Sequence, residues 1–60
     1  MNELIGKKVI VYSELAGTER QDVGVLEGVE TQWIRLRKSE TEVLFFSIYK
    51  LRLIKPFDPH

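Results

Sequence analysis

The sequence predicts an all-β domain, a five-stranded and strongly bent small barrel, and three observations carry that expectation. Short apolar runs alternate with polar turns along the whole chain. β-Branched and aromatic residues crowd into those runs, as in Val9-Ile10-Val11-Tyr12 and Val43-Leu44-Phe45-Phe46. Two glycines, Gly24 and Gly28, fall inside one run. Glycine weakens regular pairing there but permits the bulge or corner that lets a single sheet curl over itself.

Taken in order, residues 7–13 form the first strand, with Gly6 bending the chain into it. Residues 14–22 are polar, contain Gly17 and lack apolar periodicity apart from Leu15 and Ala16, so they read as a long first loop. Residues 23–30 form a second strand with Val25, Glu27 and Val29 on one alternation and Gly24, Leu26 and Gly28 on the other. Residues 32–37 alternate cleanly, Ile34 and Leu36 against Trp33, Arg35 and Arg37. A short polar turn over 38–41 leads to residues 42–46, which are apolar on both faces and need cover on both. Ile48-Tyr49-Lys50 reads as one tight turn, and residues 51–55 form a last strand ended by Pro56, which has no N–H to give to a ladder. A helix over residues 43–54 is the alternative, since Gly and Pro are absent there, but the apolar residues do not fall on one stripe of period 3.6. The domain is therefore expected to occupy residues 1–56, with residues 57–60 as a loose tail.

Sixty residues allow one domain, and a chain this short buries only about 60% of its unfolded surface on folding. The absence of Cys removes disulfides and argues against structural zinc as a means of stabilisation, which leaves good packing or self-association. The composition suits the cytoplasm, and neither a signal peptide nor a membrane-spanning apolar stretch is read in the chain. Nine acidic and nine basic residues cancel, which does not favour general affinity for nucleic acid. The charges are nevertheless segregated: residues 1–32 hold three basic and six acidic side chains, residues 33–55 six basic and two acidic. Such a dipole steers an anionic partner or brings opposite edges of two subunits together.

The order of a long loop, a Gly-bent second strand, a short hairpin, one tight turn and a short last strand resembles the small barrels of the SH3-like and Sm-like superfolds. Gly24-Val25-Leu26-Glu27-Gly28-Val29-Glu30 is similar to the first Sm motif in its spacing of small, apolar and acidic residues. By that resemblance Trp33-Ile34-Arg35-Leu36 belongs to the third strand of an Sm- or Hfq-type protein, and residues 42–46 and 51–55 to the fourth and fifth. Leu4-Ile5-Gly6-Lys7-Lys8-Val9, followed by Gly24-Val25-Leu26, resembles the PRC-barrel, a family associated with RNA processing and protein docking. The base-reading Asn of Sm proteins has no counterpart among Thr31 to Ile34, and the Tyr-Lys-His segment of Hfq is absent. What the resemblance implies is thus a fold, and a fold by itself carries no function.

Catalysis is not expected. The one His is the last residue, there is no Cys, and Ser13, Ser39 and Ser47 lie near no recognisable base. Glu27 with Glu30, and Glu40 with Glu42, read as solvated carboxylates rather than as an acid–base pair or a metal site. No cofactor and no small-molecule substrate are inferred. Trp33, Arg35 and Arg37 on one strand face, joined by Lys50 and Arg52, form a candidate nucleic-acid face on which a base stacks between cations. The plainer reading has Trp33 capping the core and both arginines lying over apolar surface. A barrel this small internalises one face of each strand, so some of Ile10, Tyr12, Leu44, Phe46 and Ile54 are expected to emerge as an outer apolar patch. The leading expectation is accordingly a non-catalytic binding or assembly module acting through contacts with itself or another protein, and the second a weak single-strand RNA or DNA binder.

Overall fold

A computed structural model describes residues 2–57. After a single 3₁₀ turn at Asn2–Leu4, five antiparallel strands follow: β1 (Lys8–Leu15), β2 (Thr18–Val29), β3 (Trp33–Arg37), β4 (Val43–Ser47) and β5 (Leu51–Pro56), with a second 3₁₀ turn at Ile48–Lys50. Their order in the sheet is β4-β3-β2-β1-β5.

The twelve-residue β2 organises the molecule. Its first part pairs with β1, from Leu15 opposite Thr18 to Lys8 opposite Val25. Its second part pairs with β3, and between Leu26 and Gly28 the register shifts, leaving Glu27 as a bulge. A bulge bends its strand and increases the local twist, so the β1–β5 half of the sheet is turned toward the β3–β4 half. Val9, Val11, Leu26, Ile34 and Leu36 are fully buried, with Leu4, Val29, Phe46, Ile48, Leu51 and Ile54 packed against them. All-β architecture is therefore as expected, and the bulge falls in the strand whose two glycines were expected to bend it. Closure into a barrel is not observed: β4 and β5 remain the two edges. The register also shifts between Tyr12 and Ser13 in the β1–β5 ladder, and a gap of about 200 Å³ remains between β4 and the β1–β2 hairpin.

The long first loop is replaced by a hairpin. β1 continues to Leu15 and β2 starts at Thr18, so only Ala16 and Gly17 make the turn, both at positive φ (53° and 80°). Two central residues with φ > 0 give the turn whose twist matches that of the flanking strands. This hairpin end is exposed at every residue from Glu14 to Gln21, so it carries no apolar periodicity to read. Ala16 carries a Cβ in a left-handed conformation that costs an L-residue roughly 1 kcal/mol. Ala16→Gly is expected to raise the stability by a few tenths to about 1 kcal/mol, read as an upward shift in the urea midpoint; an unchanged or lower midpoint contradicts the strained turn.

Two other local expectations hold. Gly6 adopts φ 87° at the entry to β1, and its N–H donates to the Leu26 carbonyl at 2.7 Å. The tight turn after β4 is capped by Ser47, whose Oγ accepts from the Tyr49 N–H at 3.3 Å. At the far end Phe57 is tied back to β1: its N–H donates to the Lys8 carbonyl at 2.9 Å, and Lys8 Nζ sits 4.6 Å from its ring centroid. The rest of the expected tail, residues 58–60, lies outside the described residues. Among the described residues, no helix is long and apolar enough to cross a membrane.

Candidate functional site: the outer face of β2, β3 and β4

The clean alternation of β3 decides which side chains meet on its two sides. Ile34 and Leu36 point into the core, which turns Trp33, Arg35 and Arg37 outward. Across the β3–β4 ladder these residues oppose Ser47, Phe45 and Val43; across β2–β3, Arg35 opposes Gly28 and Arg37 opposes Val25. Directly opposed side chains share a face. The outer surface thus brings Trp33 and Phe45, 49% and 64% exposed, to either side of Arg35.

The bulge supplies the charge of this face. Glu27 has no opposite residue in β3, and its carboxylate reaches both guanidinium groups, Arg37 Nε to Oε2 at 2.6 Å and Arg35 Nε to Oε1 at 3.5 Å. Arg37 Nη1 also donates to the carbonyls of Ser39 and Glu40, each at 3.3 Å. One carboxylate therefore offsets half of the positive charge, and Arg37 is the more tightly held. Gly28 has no side chain to cover Arg35: a Cβ there would lie 3.6 Å from Arg35 Nη2, so the guanidinium lies over bare backbone. The result is a groove of about 350 Å³ lined by Gly28, Glu30, Trp33, Ile34, Arg35 and Phe45. A second depression continues past Phe45 to Val43, Val25 and Ile5, of which Ile5 and Val25 are also exposed.

No protein-family model, curated protein or solved structure matches the chain. Its function is accordingly read from its own surface.

The five residues expected to form a nucleic-acid face do not converge. Trp33, Arg35 and Arg37 share the outer face of β3. Lys50 lies in the 3₁₀ turn after β4, by the gap toward the β1–β2 hairpin. Arg52 lies on β5 and is paired with Glu19 at 2.6 Å. The expected protein-contact residues divide as well. Phe46 and Ile54 pack against the core, and Leu44, opposite the buried Leu36, is half-buried. These three do not emerge as an outer patch, because β4 opposes β3 with even-numbered residues inward and Ile54 opposes the buried Val11. Ile10 and Tyr12 take the outward alternation of β1, half-buried, with Lys55 Nζ 5.7 Å from the Tyr12 ring.

Phe45, Val25 and Ile5 went unread in the sequence as surface residues. The signal for Phe45 was present, since a hairpin register that sets Arg35 against residue 45 turns it outward. In a strand apolar on both faces, alternation alone does not say which face is wet.

Among the described residues one charged group is buried. Asp22, 3% exposed, opposes Val11 in the β1–β2 ladder. Its Oδ1 accepts from Lys38 Nζ at 3.1 Å and Arg20 Nη2 at 3.4 Å, while Oδ2 has no hydrogen-bond partner among the described residues. Lys38 follows β3, so this pair ties the first part of β2 to the β3–β4 turn and is structural in character. Among the described residues no cluster of His, Cys, Asp and Glu is suited to hold a metal ion.

Proposed function

We propose that the chain is a non-catalytic binding or assembly module that works through protein contacts on the outer face of β2, β3 and β4. The observation that carries this reading is Phe45, 64% exposed at the centre of its strand beside the half-exposed Trp33, with Val25 and Ile5 extending the apolar surface. Covering apolar surface gains about 25 cal/mol per Å², and large aromatics next to arginine are the residue types that dominate protein contacts energetically. The small core supports the same reading, since a domain of this size has little stability to spare and gains from association. In fold terms we read the sheet as an opened SH3-like or Sm-like small barrel; the bent β2 and the 3₁₀ turn between the last two strands support this. The lack of Cys accords with a cytoplasmic setting.

The test is the solution mass by light scattering across a range of concentrations, with Trp33 fluorescence followed in the same samples. The mass is expected to rise above the 7.0 kDa of one chain as the Trp33 emission moves to shorter wavelength. A constant 7.0 kDa with unshifted emission removes self-association from the proposal.

A second reading, weak binding of single-stranded RNA or DNA, draws on the placement of Trp33 and Phe45 around Arg35. Each stacked base contributes ~1–3 kcal/mol, whereas Glu27 competes with phosphate for both arginines. Short oligonucleotides at low salt must quench Trp33 and lose affinity steeply as salt rises; no quenching ends this reading.

A further inference from the structure

The two edges of the sheet are built differently. β5 carries Arg52, Lys55 and Pro56, and charges and proline are the features that keep an edge strand from pairing with another chain. β4, Val-Leu-Phe-Phe-Ser, has no charge and no proline, and among the described residues pairs only with β3. A short apolar edge left unblunted is a template for strand addition.

Charge at its ends selects the occupant. Glu40 and Glu42 precede β4 and Lys50 follows it. A second copy of β4 running antiparallel brings the acidic end of each copy to the basic end of the other, whereas a parallel copy sets like charge on like. Centred on Phe45, the antiparallel register places Phe45 of one copy opposite Phe45 of the other and Val43 opposite Ser47. It also sets Leu44 opposite Phe46, so that the half-buried residues of the two copies face each other.

We propose that this protein self-associates through antiparallel pairing of β4 with β4 of a second copy, an isologous contact centred on Phe45. The proposal rests on the protein-contact reading above and names its partner.

Single cysteines test it, since the sequence has none of its own. Directly opposed residues in an antiparallel pair lie within disulfide reach. On mild oxidation with diamide, Phe45→Cys is expected to run as a covalent dimer. Val43→Cys and Ser47→Cys are each expected to form no disulfide dimer alone and to cross-link when mixed. In light scattering, Phe45→Lys, which sets two cations face to face at an exposed position, is expected to halve the wild-type mass, with the urea midpoint kept at dilutions where both chains are monomeric. Lys50→Glu weakens the association, and Glu40→Lys added to Lys50→Glu restores it. A wild-type mass above one chain without Phe45→Cys cross-linking overturns the β4 pairing and leaves the protein-contact reading standing. A wild-type mass of one chain at every concentration overturns the pairing together with self-association.

Discussion

Gly24→Ala is expected to lower the stability by about 3 kcal/mol, at the upper end of what overpacking a well-filled site costs. A Cβ on Gly24 falls 2.5 Å from the Arg37 carbonyl oxygen, 3.0 Å from its carbon and 3.1 Å from Leu36 Cγ. Two of these neighbours are backbone atoms of β3, so no side-chain rotation relieves the contact. Either β2 and β3 separate or the ladder at Val25 and Arg37 distorts. For 60 residues a total stability of roughly 3–9 kcal/mol is ordinary, so this one methyl group takes a large part of it. Gly28→Ala is the control, because its Cβ meets only the Arg35 guanidinium, at 3.6 and 3.8 Å, and that side chain is free to move. Urea unfolding of both variants reads the difference. Equal midpoints for Gly24→Ala and wild type would mean that β2 and β3 do not approach this closely.

Leu36→Ala is expected to cost about 3 kcal/mol through lost burial and the cavity left behind. Leu36 is fully buried and stands opposite Leu26 on one side and Leu44 on the other. Its truncation therefore opens the layer joining three strands, and the core holds few other fully buried side chains to close over it. Thermal and urea unfolding should both report the loss. Phe45→Ala, next to Leu44 on β4 but 64% exposed, should leave unfolding of the isolated chain within about 0.5 kcal/mol of wild type while reducing association. If Phe45→Ala destabilises an isolated chain as much as Leu36→Ala does, Phe45 is a core residue and the contact surface proposed for it is wrong.

The two glycines show how far the sequence reading reached. Both were legible as an interruption of β2, and the strand does bend, but they act differently. Gly28 flanks the bulge at Glu27 and leaves space over which Arg35 lies. Gly24 is required by the close approach of the Arg37 carbonyl, a long-range contact with no local signature. The arginine face was legible in part for a similar reason. Alternation within β3 groups Trp33, Arg35 and Arg37 from three residue identities. Grouping them with Lys50 and Arg52 needed to know where the last turn and strand travel, and nearness in sequence did not supply it.

The sequence by itself determined the secondary-structure class, the existence of the bend, the tight turn before β5 and the face that Ile34 and Leu36 bury. These follow from local rules: side-chain alternation, the density of β-branched residues, and the freedom of glycine. Only the tertiary structure decided that residues 14–22 extend a hairpin rather than form a loop, that Glu27 bridges Arg35 and Arg37, and that Phe45 faces water while Phe46 faces the core. Each of these depends on register, the pairing of residues far apart in the chain. A shift of one residue exchanges the two faces of a strand, and in a strand as apolar as Val43-Leu44-Phe45-Phe46 the composition is nearly the same either way.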